Sequence, residues 1–153
     1  MATSSGIACT RYAEPIEAVT SAAARTGVLI LGDRYPDSTT PIAQTVFDEA
    51  REKSLRLYVE YPSFVPEVEF KKPRETRWER AVVASEAFGL ELPKMRILAI
   101  HGCRFLPTAG AKPHLVLARV AGFDVAPFGL PEETWPVLFE HPSGGILVAT
   151  TKL

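Results

Sequence analysis

The chain has 153 residues, 46% hydrophobic and 23% charged, which suits one domain able to bury roughly 70% of its unfolded-chain surface. A formal net charge of -1 lacks the basic excess expected of a nucleic-acid-binding protein. The longest apolar runs, residues 28–31 and 97–100, are far too short for a membrane span, so a soluble protein with neither a nucleic-acid nor a membrane partner is expected.

Residues 1–26 are rich in Ala, Ser and Thr and read as a flexible or weakly helical lead-in, with Pro15 to Arg25 its helical part. The start, MATSSGIACTRYAEP, has no basic segment followed by an apolar core, so no secretory leader is visible and no compartment is assigned. From Gly27 onward the pattern predicts a single domain over residues 27–153. The run VLIL at 28–31 lacks polar alternation, which suits a strand covered on both faces of a parallel sheet. Thr40 and Pro41 offer an N-cap and first helical position. Ile42, Val46, Phe47 and Ala50 then follow at helical spacing. Residues 55–61 alternate as a second strand, completing a strand–helix–strand unit.

A proline-punctuated loop with the charged run KKPRETR follows and reads as solvated, with a docking or acidic-ligand surface as the alternative. AVVAS at 81–85 and residues 96–100 predict a third and a fourth strand, joined by EAFGLELPK, which is too short for a full helix. Further strand-like runs lie at 115–120, 137–140 and 146–149, with PSGG at 142–145 turning the last two into a hairpin. The expected fold is α/β: a small, open, mostly parallel sheet with a C-terminal antiparallel hairpin.

In such a sheet, ligands sit beyond the carboxyl ends of the strands. Those ends gather Asp33, Arg34, Tyr35, Glu86, His101 and Arg104 as candidate ligand-binding residues, with Cys103 beside them. As a nucleophile, Cys103 needs a base, and His101 and His141 are the candidates. His101 on a continuing strand points away from Cys103, and no helix N-terminus follows to supply oxyanion donors. A partly buried, inert cysteine is the plainer reading. Two cysteines make no disulfide framework. The three histidines, His101, His114 and His141, show no metal-ligand spacing, and there is no glycine-rich phosphate motif. No metal and no cofactor are therefore expected. Trp78 and Trp135 read as buried anchors, with sugar stacking as the alternative.

The succession GVLILGDRYPDSTTPIAQTVFDEA, LRLYVEYP, AVVAS and RILAIHGC resembles class I glutamine amidotransferase-like, flavodoxin-like domains. Residues 118–153 resemble more closely the non-catalytic accessory region of bacterial glycoside-hydrolase-type proteins. The resemblance implies a C-terminal catalytic domain or partner protein, a carbohydrate connection, and a module cut off abruptly after TTKL. Active amidotransferases carry Gly-x-Cys-x-Gly and a later His-Pro-Glu. Here His101 and Phe105 stand at both flanking glycines, and Ser143 follows His141-Pro142. The resemblance thus implies a non-catalytic accessory or interface module. The alternatives are a small cysteine hydrolase or amidotransferase-like enzyme using Cys103 and His141, and a small-ligand sensor.

Overall fold

The computed structural model describes residues 9–100, 102–109 and 112–153. The chain builds α1 (Pro15–Ser21), β1 (Gly27–Ile30), α2 (Gln44–Glu52), β2 (Arg56–Glu60), β3 (Arg74–Glu75), β4 (Arg80–Val83), β5 (Ile97–Leu98), β6 (Arg104–Phe105), β7 (Pro113–Ala118), β8 (Trp135–Glu140) and β9 (Ile146–Ala149). Seven strands form one curled, half-barrel sheet in the order β1-β2-β9-β8-β7-β4-β5, while β3 and β6 pair as a separate ribbon.

This corrects the expected flavodoxin-like α/β fold. Only β1–β2 and β2–β9 pair in parallel, and the other four neighbours in the large sheet are antiparallel. The cause lies in the connections. A parallel crossover takes a dozen or more residues, which the chain between β4 and β5 does not use as a helix. It turns back instead, tied by Met95 N–H to the Val83 carbonyl at 2.8 Å and Val83 N–H to the Arg96 carbonyl at 2.9 Å. The C-terminal hairpin forms as expected, but β9 is no appendage. It inserts between β2 and β8, with Leu57 opposite Ile146 and Val59 opposite Val148.

The β1–α2–β2 unit is present, and α2 buries Val46, Phe47 and Ala50. Its N-cap is Ala43, not Thr40. Thr40 instead donates its hydroxyl to the Glu60 carbonyl at 2.6 Å and its N–H to the Tyr61 carbonyl at 2.7 Å, so it extends the sheet edge rather than starting the helix. The lead-in helix α1 begins on Pro15 and buries Val19. Lys53 closes its other end, donating from Nζ to the carbonyls of Val19 and Thr20, which satisfies groups a helix leaves open there.

Both helices cover one sheet face, where Val28, Ile30, Leu57, Val59, Phe139 and Val148 meet α2. The other face holds a second cluster around Phe105, Leu117, Val137 and Ala149. That cluster stops short of β1. Leu29 is 63% exposed and Leu31 49% exposed, so the VLIL run is not covered on both faces: it is the edge of the sheet. Among the described residues no helix is long and apolar enough to cross a membrane.

Candidate ligand-binding site

Strand directions decide which candidate residues meet. β1, β2, β7, β9 and β5 run one way, and β8 and β4 run the other. The carboxyl ends of β1, β2 and β9 therefore share one end of the sheet with the start of β8 and the chain that leaves β5. Tyr35, Cys103, Arg104 and Thr151 gather there. Arg104 N–H donates to Tyr35 Oη at 2.7 Å, and the Thr151 hydroxyl donates to the Arg104 carbonyl at 2.7 Å. Tyr35 Oη lies 3.1 Å from Thr151 Oγ1.

Beside them, buried Glu60 accepts Gly32 N–H at 3.0 Å on one oxygen and the Tyr58 hydroxyl at 3.0 Å on the other. Burial first, and then the Glu60 charge, push the Tyr58 hydroxyl well above its ordinary pKa. Among the described residues no buried side-chain nitrogen or oxygen lacks a partner. The buried polar atoms of the strand-end cluster thus all have partners.

The other candidates whose positions are described stand outside this hydrogen-bonded cluster. Asp33 is exposed and faces Arg11 at 3.7 Å. Arg34 is exposed in the same turn. Glu86 follows β4, which runs against β1, so it sits at the opposite end of the sheet. His101 lies outside the described residues.

His141 also stands at that opposite end, after β8. A six-residue strand, about 20 Å long, separates it from the Cys103 end. Its ring is engaged on both sides. Nε2 lies 2.8 Å from the Pro66 carbonyl, which can only accept, so Nε2 carries the proton. Nδ1 then accepts from Ser143, whose Oγ is 2.7 Å away.

Among the described residues no histidine bonds the Cys103 thiol. The Cys103 N–H donates to Thr76 Oγ1 at 3.1 Å, and Thr76 N–H returns a bond to the Cys103 carbonyl at 3.0 Å. Burial raises the thiol pKa, an effect the Thr76 and Thr151 hydroxyls only partly offset, so the group stays protonated near neutrality. Both cysteines are free, Cys9 exposed and Cys103 buried. With iodoacetamide at about pH 8, the native protein should take up one label quickly, on Cys9. The Cys9→Ser variant should react only as fast as Cys103 is opened by unfolding. A fast label on Cys103 in the folded variant contradicts the buried-thiol assignment.

An open cleft lies at the same end, against the β3–β6 ribbon. It has a volume of about 590 Å³ and is lined by Lys71, Lys72, Arg74, Thr108, Thr134 and Trp135 among others. The charged run forms its wall, with Lys71 and Lys72 exposed to solvent. Arg74 lies over the Trp135 ring, 4.2 Å from its centroid, and donates to Glu79 Oε1 at 2.9 Å. Glu79 is buried, and its second oxygen accepts N–H bonds from Arg77 at 2.8 Å and Trp78 at 3.1 Å. Burial pushes this carboxyl upward. The backbone N–H donors and the Arg74 charge outweigh it and hold the pKa below the ordinary value.

The Arg74–Trp135 stack was missed from sequence because its members come from distant strands, and Glu79 because nothing in its local pattern marks a buried carboxylate. The available signal was the charged run ending at Trp78, whose alternative reading is an acidic-ligand surface. Trp78 corrects the buried-anchor expectation, being 78% exposed, while Trp135 is half-buried. Among the described residues no group of His, Cys, Asp and Glu is placed to hold a metal ion. Comparisons with protein-family models, curated proteins and solved structures found no significant match, so the local chemistry alone must carry a functional reading.

Proposed function

We propose that the protein is a non-catalytic binding module whose cleft takes an anionic ligand, in an accessory or interface role beside carbohydrate-degrading proteins. The observation that carries the reading is the meeting of Lys71, Lys72 and Arg74 with the indole of Trp135 in one open cleft. Its volume suits a small organic ligand. Arg74 is held by Glu79 and the Trp135 ring, so it fixes the floor, and the two exposed lysines remain to meet an anion. A flat apolar ring beside cations and threonine hydroxyls fits a carboxylated sugar. The cysteine-hydrolase alternative gains no support from a buried, protonated Cys103 at the far end of the sheet from His141.

The two tryptophans permit a direct test. Trp78→Phe removes the exposed indole and leaves Trp135 as the sole reporter. Titration with an oligogalacturonate should then shift its fluorescence saturably. Replacing both Lys71 and Lys72 by alanine should weaken binding by about tenfold or more, as lost charge-assisted contacts do. Added salt should weaken it as well. No response to the oligogalacturonate, citrate or inorganic phosphate overturns the anionic cleft. An equal response to a neutral maltooligosaccharide removes charge from the recognition.

A further inference from the structure

We propose that the cleft takes one unit of an acidic oligosaccharide and that Arg119, just outside it, binds the carboxylate of the next unit. The inference rests on the anionic-cleft reading and adds a second subsite to it. Its starting point is an imbalance of charge around Glu79. One enclosed oxygen, Glu79 Oε1, is shared by Arg74 Nη2 at 2.9 Å and Arg119 Nε at 3.4 Å. The other oxygen is taken by the N–H groups of Arg77 and Trp78. Two guanidinium charges thus meet one carboxylate. Glu75, the other acid of the ribbon, does not offset them, since it faces Arg104 at 3.5 Å.

The two arginines are held differently. Arg74 is 37% exposed and is fixed by both Glu79 and the Trp135 ring. Arg119 is 60% exposed, and its contact with Glu79 is the longer one. That contact uses Nε, so among the described residues the terminal Nη1 and Nη2 of Arg119 have no partner. Those two nitrogens are the planar fork that grips a carboxylate by paired hydrogen bonds.

The strand register places this fork beside the cleft. Leu117 of β7 lies opposite Trp135 of β8, so both face the same side of the sheet. Arg119 follows two residues on, about 7 Å along the strand direction, and its bond to Glu79 keeps it on that side. It is not among the residues that line the cleft, but it touches the same Glu79 oxygen as Arg74, which is. A single uronate seated on Trp135 can meet Lys71 and Lys72 and leaves the Arg119 fork empty. The next unit of a uronate chain carries its own carboxylate past the cleft wall, where the fork stands. A neutral chain gains nothing from Arg119, and a compact polyacid offers no ring to the indole.

Fluorescence titration of the Trp78→Phe chain with galacturonate and with trigalacturonate tests the second subsite. The trimer should bind about tenfold tighter than the monomer, as an added charge-assisted contact allows. In Arg119→Gln that ratio should fall toward one. Arg119→Lys keeps the charge and loses the fork, so its ratio should lie between the two. Thermal midpoints of both variants should stay within about 4 °C of the parent, because so exposed a pair contributes little to stability. Equal binding of monomer and trimer overturns the second subsite and leaves the cleft standing. So does a trimer gain indifferent to Arg119→Gln, or one matched by maltotriose over glucose. Failure of both acids to bind overturns the cleft, and this inference with it.

Discussion

Replacing Glu79 by alanine should lower stability by about 3 kcal/mol, or roughly 6–12 °C in thermal midpoint for a domain of this size. The carboxylate is fully enclosed and joins four donors: Arg74, Arg119 at 3.4 Å, and the N–H groups of Arg77 and Trp78. The expected cost stays below the upper range for buried ion pairs because both guanidinium groups reach water. Their side chains are 37% and 60% exposed. What alanine cannot replace is the acceptor for the two backbone donors.

The same residue sets a pH dependence. The folded pKa of Glu79 is depressed below its ordinary 4.5. Its stabilisation is therefore fully present above the unfolded value and is lost as pH falls through the folded one. Urea midpoints of wild type and Glu79→Gln should differ at about pH 6 and converge as the medium is acidified toward about pH 2. Parallel pH profiles contradict this account. Because Glu79 also holds Arg74 against Trp135, the alanine variant should lose the fluorescence response of the cleft along with the stability.

Local pattern revealed those parts of the molecule whose partners are close in sequence. The apolar spacing of Val46, Phe47 and Ala50 marked α2, and PSGG marked the β8–β9 hairpin. Long-range order was hidden. A continuous run such as VLIL fits a strand with both faces covered, and it also fits an edge strand with Leu29 and Leu31 uncovered. Only the insertion of β9 beside β2 settles which it is, and nothing local encodes that pairing.

The site was legible to the same extent. Tyr35 and Arg104 were placed together correctly by the rule about strand ends, because β1 and β5 do run the same way. Glu86 was misplaced because β4 runs in the opposite sense. The cleft was legible only as the lesser reading of KKPRETR, an acidic-ligand surface, because the run has the composition of a solvated loop. Its Arg74 is held by Glu79, five residues on, and by Trp135 from another strand.

Phe105→Gly should be the other severe substitution, costing on the order of 4 kcal/mol. It places a glycine two residues after Cys103, the spacing of an amidotransferase elbow, so it asks directly what this position is for. Phe105 is fully buried on β6, its ring 6.0 Å from Trp135 and 5.7 Å from the Arg74 guanidinium. Its backbone pairs with Arg74 in the β3–β6 ribbon. Glycine would leave a cavity between the ribbon and the sheet, and it would add backbone freedom in a two-residue strand with little pairing to spare. Phe105→Leu keeps most of the volume and should cost less than about 1.5 kcal/mol. The binding response of Trp135 should fall in the glycine variant and survive in the leucine one. In a Cys9→Ser background the glycine variant should label Cys103 faster only in proportion to its loss of stability, since local opening exposes the thiol without supplying a base. If the glycine variant instead keeps its stability and gains a thiolate near neutral pH, the position is a nucleophile elbow after all. The bond from Cys103 N–H to Thr76 and the enclosure of Phe105 both argue for an anchor that ties the cleft wall to the sheet.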